Sequence, residues 1–225
     1  MSTSHPLSAT FAKDLQEFLH DALPVPSNLT TVGVDDGLLV GPQAAAGSAR
    51  FGTIALDGTE SSPRLRVEYK LCDDPSGDFF RVTSSTFGLL APTDKGGVVA
   101  RPVPILRVEF ERSQSPPAHI HFHTSSQTLG WIYGRAGGAH RRAEDLHFPI
   151  GSQRFRPTIE EFLLFLDHER LFRDWRSGSG WRQRARERIA EYERRQALAT
   201  VRHYPADIAE ELRRIGWSVT PPDTA

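Results

Sequence analysis

The sequence predicts an α+β protein whose antiparallel sheet is covered on one face by an N-terminal helix and by C-terminal helices. Three observations favour this class. Short runs that alternate apolar and polar residues occupy the middle of the chain, turn-forming residues separate these runs, and helical periodicity is confined to the two ends. Strands that come first and helices that follow, without regular βαβ alternation, are typical of antiparallel pairing.

The N-terminal part is predicted to fold as one helix followed by two β-hairpins. Apolar residues recur at helical spacing over residues 11–22, and Pro24 ends the pattern. In each hairpin, a turn rich in Asp and Gly separates two extended runs. The four strands are expected at 30–34, 38–40, 65–71 and 80–83.

A third antiparallel pair is predicted in the middle of the chain. Apolar and polar residues alternate at 106–110, and this strand is expected to pair with the histidine-rich segment at 118–123. Further extended runs at 129–133 and 146–150 flank a glycine-rich basic loop at 134–145, which fits no phosphate-binding template.

Three helices are expected at the C-terminal end. Thr158 and Glu161 form a capping box that opens a core-facing helix, and an arginine-rich helix follows from Trp181. Pro205 suits the first turn of the last helix and Gly216 its C-terminal stop. The predicted division of the chain is a sheet body with its N-terminal helix at 1–157 and a helical region, packed on the same core, at 158–225.

The most informative segment is Ala118-His119-Ile120-His121-Phe122-His123. In an extended strand, His119, His121 and His123 share one face, and the two apolar side chains between them share the other. Imidazole is the commonest metal ligand and titrates nearest neutral pH. If the strands are neighbours in register, charged side chains of other strands join this face. They are Arg66, Glu68, Lys70, Arg81, Arg107, Glu109 and His147.

The leading hypothesis from the residues is a metal-independent endoribonuclease that needs no cofactor. Cleavage of RNA through its own 2′-hydroxyl requires one imidazole as base, another as acid, and cations beside the phosphate. His121 is expected to act with His119 or His123 as its complement. The candidate catalytic residues are His119, His121, His123, Arg107 and Arg156, and the candidate binding residues are Arg66, Glu109, His147 and Arg154.

A second hypothesis is a zinc-dependent enzyme. Residues i and i+2 of a strand lie roughly 6.5 to 7 Å apart and can share one metal ion, whereas i and i+4 are about 13 Å apart and cannot. A zinc site would use His119 with His121, or His121 with His123. It would also need a third ligand, for which His147 and Glu109 are the candidates.

A third hypothesis is a non-enzymatic interaction protein. The histidines would then hydrogen-bond across strands or cover an interface, and the arginine-rich helices would bind a protein partner such as an antitoxin or a subunit. Truncation after Arg173 would remove this function, whereas substitution of the histidines would not.

Composition bears on the partners and the cellular location that we expect for this protein. The formal net charge of -1 gives no overall attraction to nucleic acid, and the only cysteine, Cys72, excludes an intramolecular disulfide. The N-terminus lacks the pattern of a secretory signal, and no apolar run approaches the length needed to span a membrane. We therefore expect a cytoplasmic protein without a membrane partner.

Five central elements occur in a suggestive order: the strand Ile105-Leu106-Arg107-Val108-Glu109-Phe110, a turn, the His-x-His strand, a short strand around His147, and Thr158-Ile159-Glu160-Glu161-Phe162-Leu163. This order resembles the TumE-type toxins of bacterial toxin-antitoxin systems over residues 64–172. The resemblance implies a toxin that acts on RNA or blocks growth, with a cognate antitoxin as partner. It implies a functional role for His119 and His121 only.

Overall fold

The computed structural model consists of a large antiparallel sheet with helices before and after it. It describes residues 6–24, 28–34, 37–44, 51–56, 62–73, 80–95, 98–123, 148–151, 156–169, 171 and 180–220. The strands are β1 (Leu29–Val34), β2 (Gly37–Pro42), β3 (Ile54–Ala55), β4 (Arg64–Asp73), β5 (Phe80–Lys95), β6 (Val98–Glu111), β7 (Ala118–Phe122) and β8 (Phe148–Gly151). The helices are α1 (Pro6–Ala22), α2 (Ile159–His168), α3 (Trp181–His203) and α4 (Pro205–Arg214).

The strands follow one another in the sheet nearly as they do along the chain. Their order is β1-β2-β4-β5-β6-β7-β8, and the short β3 also pairs with β4. Every pairing is antiparallel. Antiparallel pairing needs no crossover helices, and the predicted α+β class is confirmed.

Helices α1 and α2 pack on the same face of the sheet, through a series of aromatic contacts. Phe11 of α1 contacts Tyr69 of β4 edge to face, with ring centroids 5.2 Å apart. Tyr69 in turn contacts Phe87 of β5 at 5.4 Å, and Phe87 lies 6.1 Å from Phe162 of α2. This face of the sheet therefore forms the hydrophobic core with the helices, and the polar residues of the alternating strands lie on the opposite face.

The register of β4 to β7 arranges the polar face in cross-strand rows. Side chains of directly opposite residues in an antiparallel sheet lie on the same face. One row contains Arg66, Gly88, Arg107 and His121, and the next contains Glu68, Thr86, Glu109 and His119. The sequence predicted that charged residues and histidines share one face only if the strands pair in register. The structure shows this register for the residues of these two rows.

Two strands are longer than the sequence predicted. β5 continues well past residue 83, and β6 begins at Val98 rather than near residue 106. Pro104, which lacks a backbone N–H, lies where the β5–β6 register shifts, so the irregular pairing accommodates it. The predicted strand at 129–133 and the loop after it lie outside the described residues.

The predicted start of α2 and both predicted ends of α4 are confirmed. The Thr158 hydroxyl accepts a hydrogen bond from the Glu161 backbone N–H at 3.2 Å, and the Glu161 carboxylate accepts one from the Thr158 N–H at 2.8 Å. Pro205 begins α4, and Gly216 follows its end with φ of +95°. These contacts satisfy backbone groups that a helix end otherwise leaves without partners.

The chain divides into two compact units, Met1–Ala185 and Arg186–Ala225. The first contains the sheet, α1, α2 and the start of α3, where Trp181 and Ala185 are buried. In the second unit, α4 has no buried residue. None of the helices in the described part of the chain is long and apolar enough to cross a membrane.

Candidate metal centre

Three side chains from two adjacent strands converge on the polar face. Glu109 of β6 places Oε2 3.1 Å from Nε2 of His121 and 3.4 Å from Nε2 of His119. The two imidazole rings meet edge to face with centroids 4.9 Å apart, and the potential ligand atoms of all three residues lie within 4.8 Å of one another. Side chains at this separation can bind a single metal ion.

Strand register explains why Glu109 is the third member of this group. His119 lies directly opposite Glu109 in the β6–β7 pair, and His121 lies opposite Arg107. The two histidines share a face because they are two residues apart in a strand. The sequence left Glu109 and His147 as alternative third ligands; the structure brings Glu109 to the two histidines, and His147 lies outside the described residues.

Both histidines are almost completely buried, which the sequence did not predict. His119 is 2% exposed and His121 is 3% exposed, whereas the Glu109 side chain is 25% exposed. On the other face of β7, Ile120 packs against the core but Phe122 is 43% exposed. Polar groups buried in this way require hydrogen bonds, ion pairs or metal bonds to offset the loss of water.

The tautomer of His119 follows from its backbone contact. Its Nδ1 lies 3.1 Å from the carbonyl oxygen of Pro116, and a carbonyl can only accept a hydrogen bond, so Nδ1 carries the proton. In the neutral ring, Nε2 then presents a lone pair toward Glu109 Oε2. Two electron-rich atoms facing each other need a proton between them, on the ring or on the carboxyl group, or a metal ion. Metal-binding histidines commonly donate their other N–H to a backbone carbonyl in this way.

The two nitrogen–oxygen distances within the cluster agree with tetrahedral metal coordination. With metal–ligand bonds of 2.0 to 2.2 Å, two ligand atoms on one tetrahedral zinc ion lie about 3.3 to 3.6 Å apart. The two nitrogen–oxygen separations here, 3.1 and 3.4 Å, are close to this value. The cluster could therefore accept zinc with small movements of its side chains.

Arg107 forms an ion pair with the Glu109 carboxylate. Its Nε lies 3.0 Å from Glu109 Oε1, on the oxygen that does not face the histidines. The two carboxylate oxygens thus have different partners, with the guanidinium on one and both imidazoles on the other. Residues that contact a metal ligand without binding the metal, as Arg107 contacts Glu109 here, commonly orient the ligands of a metal site.

The other predicted site residues that the structure describes do not join this cluster. His123 follows the end of β7, where its N–H donates to the Ile105 carbonyl at 3.0 Å, and it does not belong to the group of three. Arg156 lies 5.8 Å from the ring of Tyr69, on the helix-covered face, so the structure does not bring it to the histidines. Arg66 is on the polar face, two strands from Arg107. Arg154 lies outside the described residues.

Sequence reasoning missed a repeated segment that positions part of the site. The residues Leu-Arg-Val-Glu occur at 65–68 in β4 and again at 106–109 in β6. Both strands pair with β5, and the two segments lie in register across it, with Glu68 and Glu109 on either side of Thr86. A search for short internal repeats would have identified Glu68 as the counterpart of Glu109.

Fold and site together define an antiparallel α+β protein with a His-His-Glu cluster, its two histidines buried, on the polar face of the sheet. Comparison with family models, with curated proteins and with solved structures finds no match to this chain. The function is therefore argued from the cluster itself.

Proposed function

We propose that Glu109, His119 and His121 bind one divalent metal ion, that zinc is this ion, and that the protein is a metal-dependent hydrolase. The observation that carries the proposal is the position of one carboxylate oxygen, 3.1 and 3.4 Å from two imidazole nitrogens. For His119 the backbone contact at Nδ1 leaves Nε2 as the ring nitrogen that faces that oxygen. A metal ion at this point would satisfy all three ligands.

The chemical identity of the ligands supports both zinc and catalysis. Two imidazoles and a carboxylate suit zinc, and the same set also suits non-haem iron(II). A site of nitrogen and oxygen ligands generally binds zinc more tightly than iron(II), which favours zinc. Structural zinc sites use four Cys or His ligands, whereas His₂Glu sets occur in hydrolytic enzymes, where the metal lowers the pKa of bound water to about 7.

The metal-free ribonuclease predicted from the sequence requires a different arrangement of the histidines. Its acid and base must lie on either side of a phosphorus atom. His119 and His121 instead direct their Nε2 atoms toward the same carboxylate, which supports the metal alternative. Ribonuclease activity, with RNA as substrate or an antitoxin as partner, stays a prediction and is one outcome of the test below.

The first test is metal stoichiometry in the full chain, purified without a histidine tag, stripped with a chelator and titrated with zinc or iron(II). We expect one zinc ion per chain. His119→Ala and His121→Ala should each weaken zinc binding by at least about 100-fold, because each removes a ligand. His123→Ala is the matched control, since this histidine lies outside the cluster, and should bind zinc like the natural chain. Failure of the natural chain to take up zinc would overturn the proposal.

Activity separates the metal-dependent hydrolase from the ribonuclease. Ester, amide and phosphodiester substrates, including RNA, would be incubated with the stripped and the zinc-loaded chain. Hydrolysis that requires zinc and is lost in His121→Ala would support the proposal. RNA cleavage that persists in excess chelator and is lost in the same variant would favour the metal-independent ribonuclease instead. Expression in cells, with growth and RNA integrity as readouts, tests the toxin prediction directly.

A further inference from the structure

A cavity lies on the same face of the sheet as the proposed metal centre. Its volume is about 400 Å³, and Ser84 and Thr86 of β5 contribute to its lining. Thr86 is also the direct cross-strand partner of Glu109, so the cavity begins one strand away from the proposed metal ligand. Cavities of this size bind small organic molecules.

The cavity lining combines positive charge with an apolar wall. Arg66 and Lys70 contribute two cations, and Glu68 contributes one anion that contacts Arg66 Nε at 2.6 Å. The lining therefore carries one more positive than negative charge. Leu39 and Phe51 supply the apolar part.

Two glycines shape this region. A Cβ atom at Gly41 would lie 2.7 Å from the ring of Phe51, so the absence of a side chain at Gly41 allows Phe51 to sit where it lines the cavity. Gly88 lies between Arg66 and Arg107 in their cross-strand row and places no side chain between them. Gly88 and Thr86 of β5 thus separate the cavity residues Arg66 and Glu68 of β4 from Arg107 and Glu109 of β6.

We propose that this cavity is the substrate subsite of the metal centre and takes an organic anion, a phosphate or carboxylate attached to a flat apolar group. The inference rests on the proposed metal-dependent function. The anionic group is bound by Arg66, Lys70 adds positive charge elsewhere in the lining, and the apolar group contacts Phe51 and Leu39. Strands β4 and β6 are two strand spacings apart, so the anionic group lies about 10 Å from the metal ion.

The experiment uses phenylphosphonate and benzoate as probes and benzyl alcohol as the neutral control. Binding to the zinc-loaded full chain is measured by calorimetry. Arg66→Gln should weaken binding of both anions by at least about 10-fold, because a charge-assisted hydrogen bond is lost. Arg81→Gln, which changes an exposed arginine of β5 outside the cavity, should have less than about a 2-fold effect. Preference for phenylphosphonate or for benzoate would identify the anionic group.

A distance measurement shows whether the anion occupies the cavity or the metal itself. With cobalt(II) in place of zinc, paramagnetic relaxation of the phosphonate ³¹P signal should give a metal–phosphorus distance near the 10 Å that two strand spacings imply, to within about 3 Å. A distance of about 3 Å would mean direct coordination to the metal and would overturn the inference. Binding that is equally strong in Arg66→Gln would overturn it as well.

The same samples separate the two proposals. Metal uptake without saturable binding of either anion would overturn the cavity inference and leave the metal centre standing. Anion binding that depends on Arg66 in a chain that takes up no metal would overturn the metal proposal, and with it the substrate role of the cavity. Ser84→Leu, which fills the cavity from β5, provides a second variant; it should abolish anion binding and leave metal stoichiometry unchanged.

Discussion

The two Leu-Arg-Val-Glu segments of this protein have the same sequence and the same position relative to β5, yet their surroundings differ. Each glutamate contacts the arginine two residues before it, Glu68 at 2.6 Å and Glu109 at 3.0 Å. Beyond Glu109 lies β7 with its two buried histidines, whereas Glu68 lines the cavity with Leu39 and Phe51. The two glutamates and their arginines are alike, so they do not explain the difference. Glu109 is a candidate metal ligand because β7, with its two histidines, is the neighbouring strand.

The largest expected difference between the segments is in zinc affinity. Glu109→Gln should weaken zinc binding by at least about 100-fold, because it replaces a charged ligand by a neutral amide that binds zinc poorly. Glu68→Gln makes the same chemical change in the same sequence context and should alter zinc affinity by less than about 3-fold. Titration of both variants with zinc measures the difference. Equal losses in the two variants would mean that the electrostatic field of the sheet, rather than coordination by Glu109, determines binding.

Zinc should also raise the free energy of unfolding, and this effect should depend on Glu109 but not on Glu68. A ligand that binds the native state alone adds about 2.7 kcal/mol to the free energy of unfolding at a free concentration of 100 times Kd. The natural chain and Glu68→Gln should gain this stability in urea unfolding at neutral pH, and Glu109→Gln should not. The gain should diminish as the pH is lowered, because protons compete with the metal for the imidazole nitrogens. Stabilisation of Glu109→Gln by zinc would place the binding site elsewhere in the chain.

The sequence predicted which side chains of one strand share a face, because alternation along a strand determines this. Alternation in 118–123 placed His119 and His121 on one face, and alternation in 65–71 placed Arg66 and Glu68 on the polar face. Alternation cannot specify which strands are neighbours, and this order decides that Glu109 faces His119. The burial of both histidines was likewise inaccessible, because it depends on the tertiary surroundings of β7 and not on its own sequence.

The same difference between local contacts and strand pairing appears elsewhere in the fold. The capping box at Thr158 and Glu161 is a contact over three residues, and the sequence predicted it correctly. The extension of β6 through Pro104 was missed because proline normally argues against a paired strand, and only the shifted register with β5 accommodates it. Local contacts were therefore predictable, and pairing between distant segments was not.

The apolar positions of the two segments should behave alike, in contrast to their glutamates. Val67 and Val108 lie opposite Phe87 on its two sides, and both are buried in the same core, at 0% and 7% exposed. Substitution of either valine by alanine removes two buried methyl groups, so each should lower the free energy of unfolding by about 2 kcal/mol. Chemical denaturation of the metal-free chain measures both values. A difference above about 1.5 kcal/mol would show that the repeat is not equivalent on its core side.

The smallest expected effect is the coupling between Arg66 and Glu68 in the free energy of unfolding. Their contact of 2.6 Å is short, but the side chains are 42% and 30% exposed, so water screens the attraction and the free side chains lose entropy on pairing. A double-mutant cycle with Arg66→Gln and Glu68→Gln should give a coupling of about 0.5 kcal/mol, reduced further at high salt. A coupling above about 2 kcal/mol would mean that this pair is shielded from solvent as the buried histidines are. The contrast between the segments would then arise from the histidines alone and not from a difference in exposure.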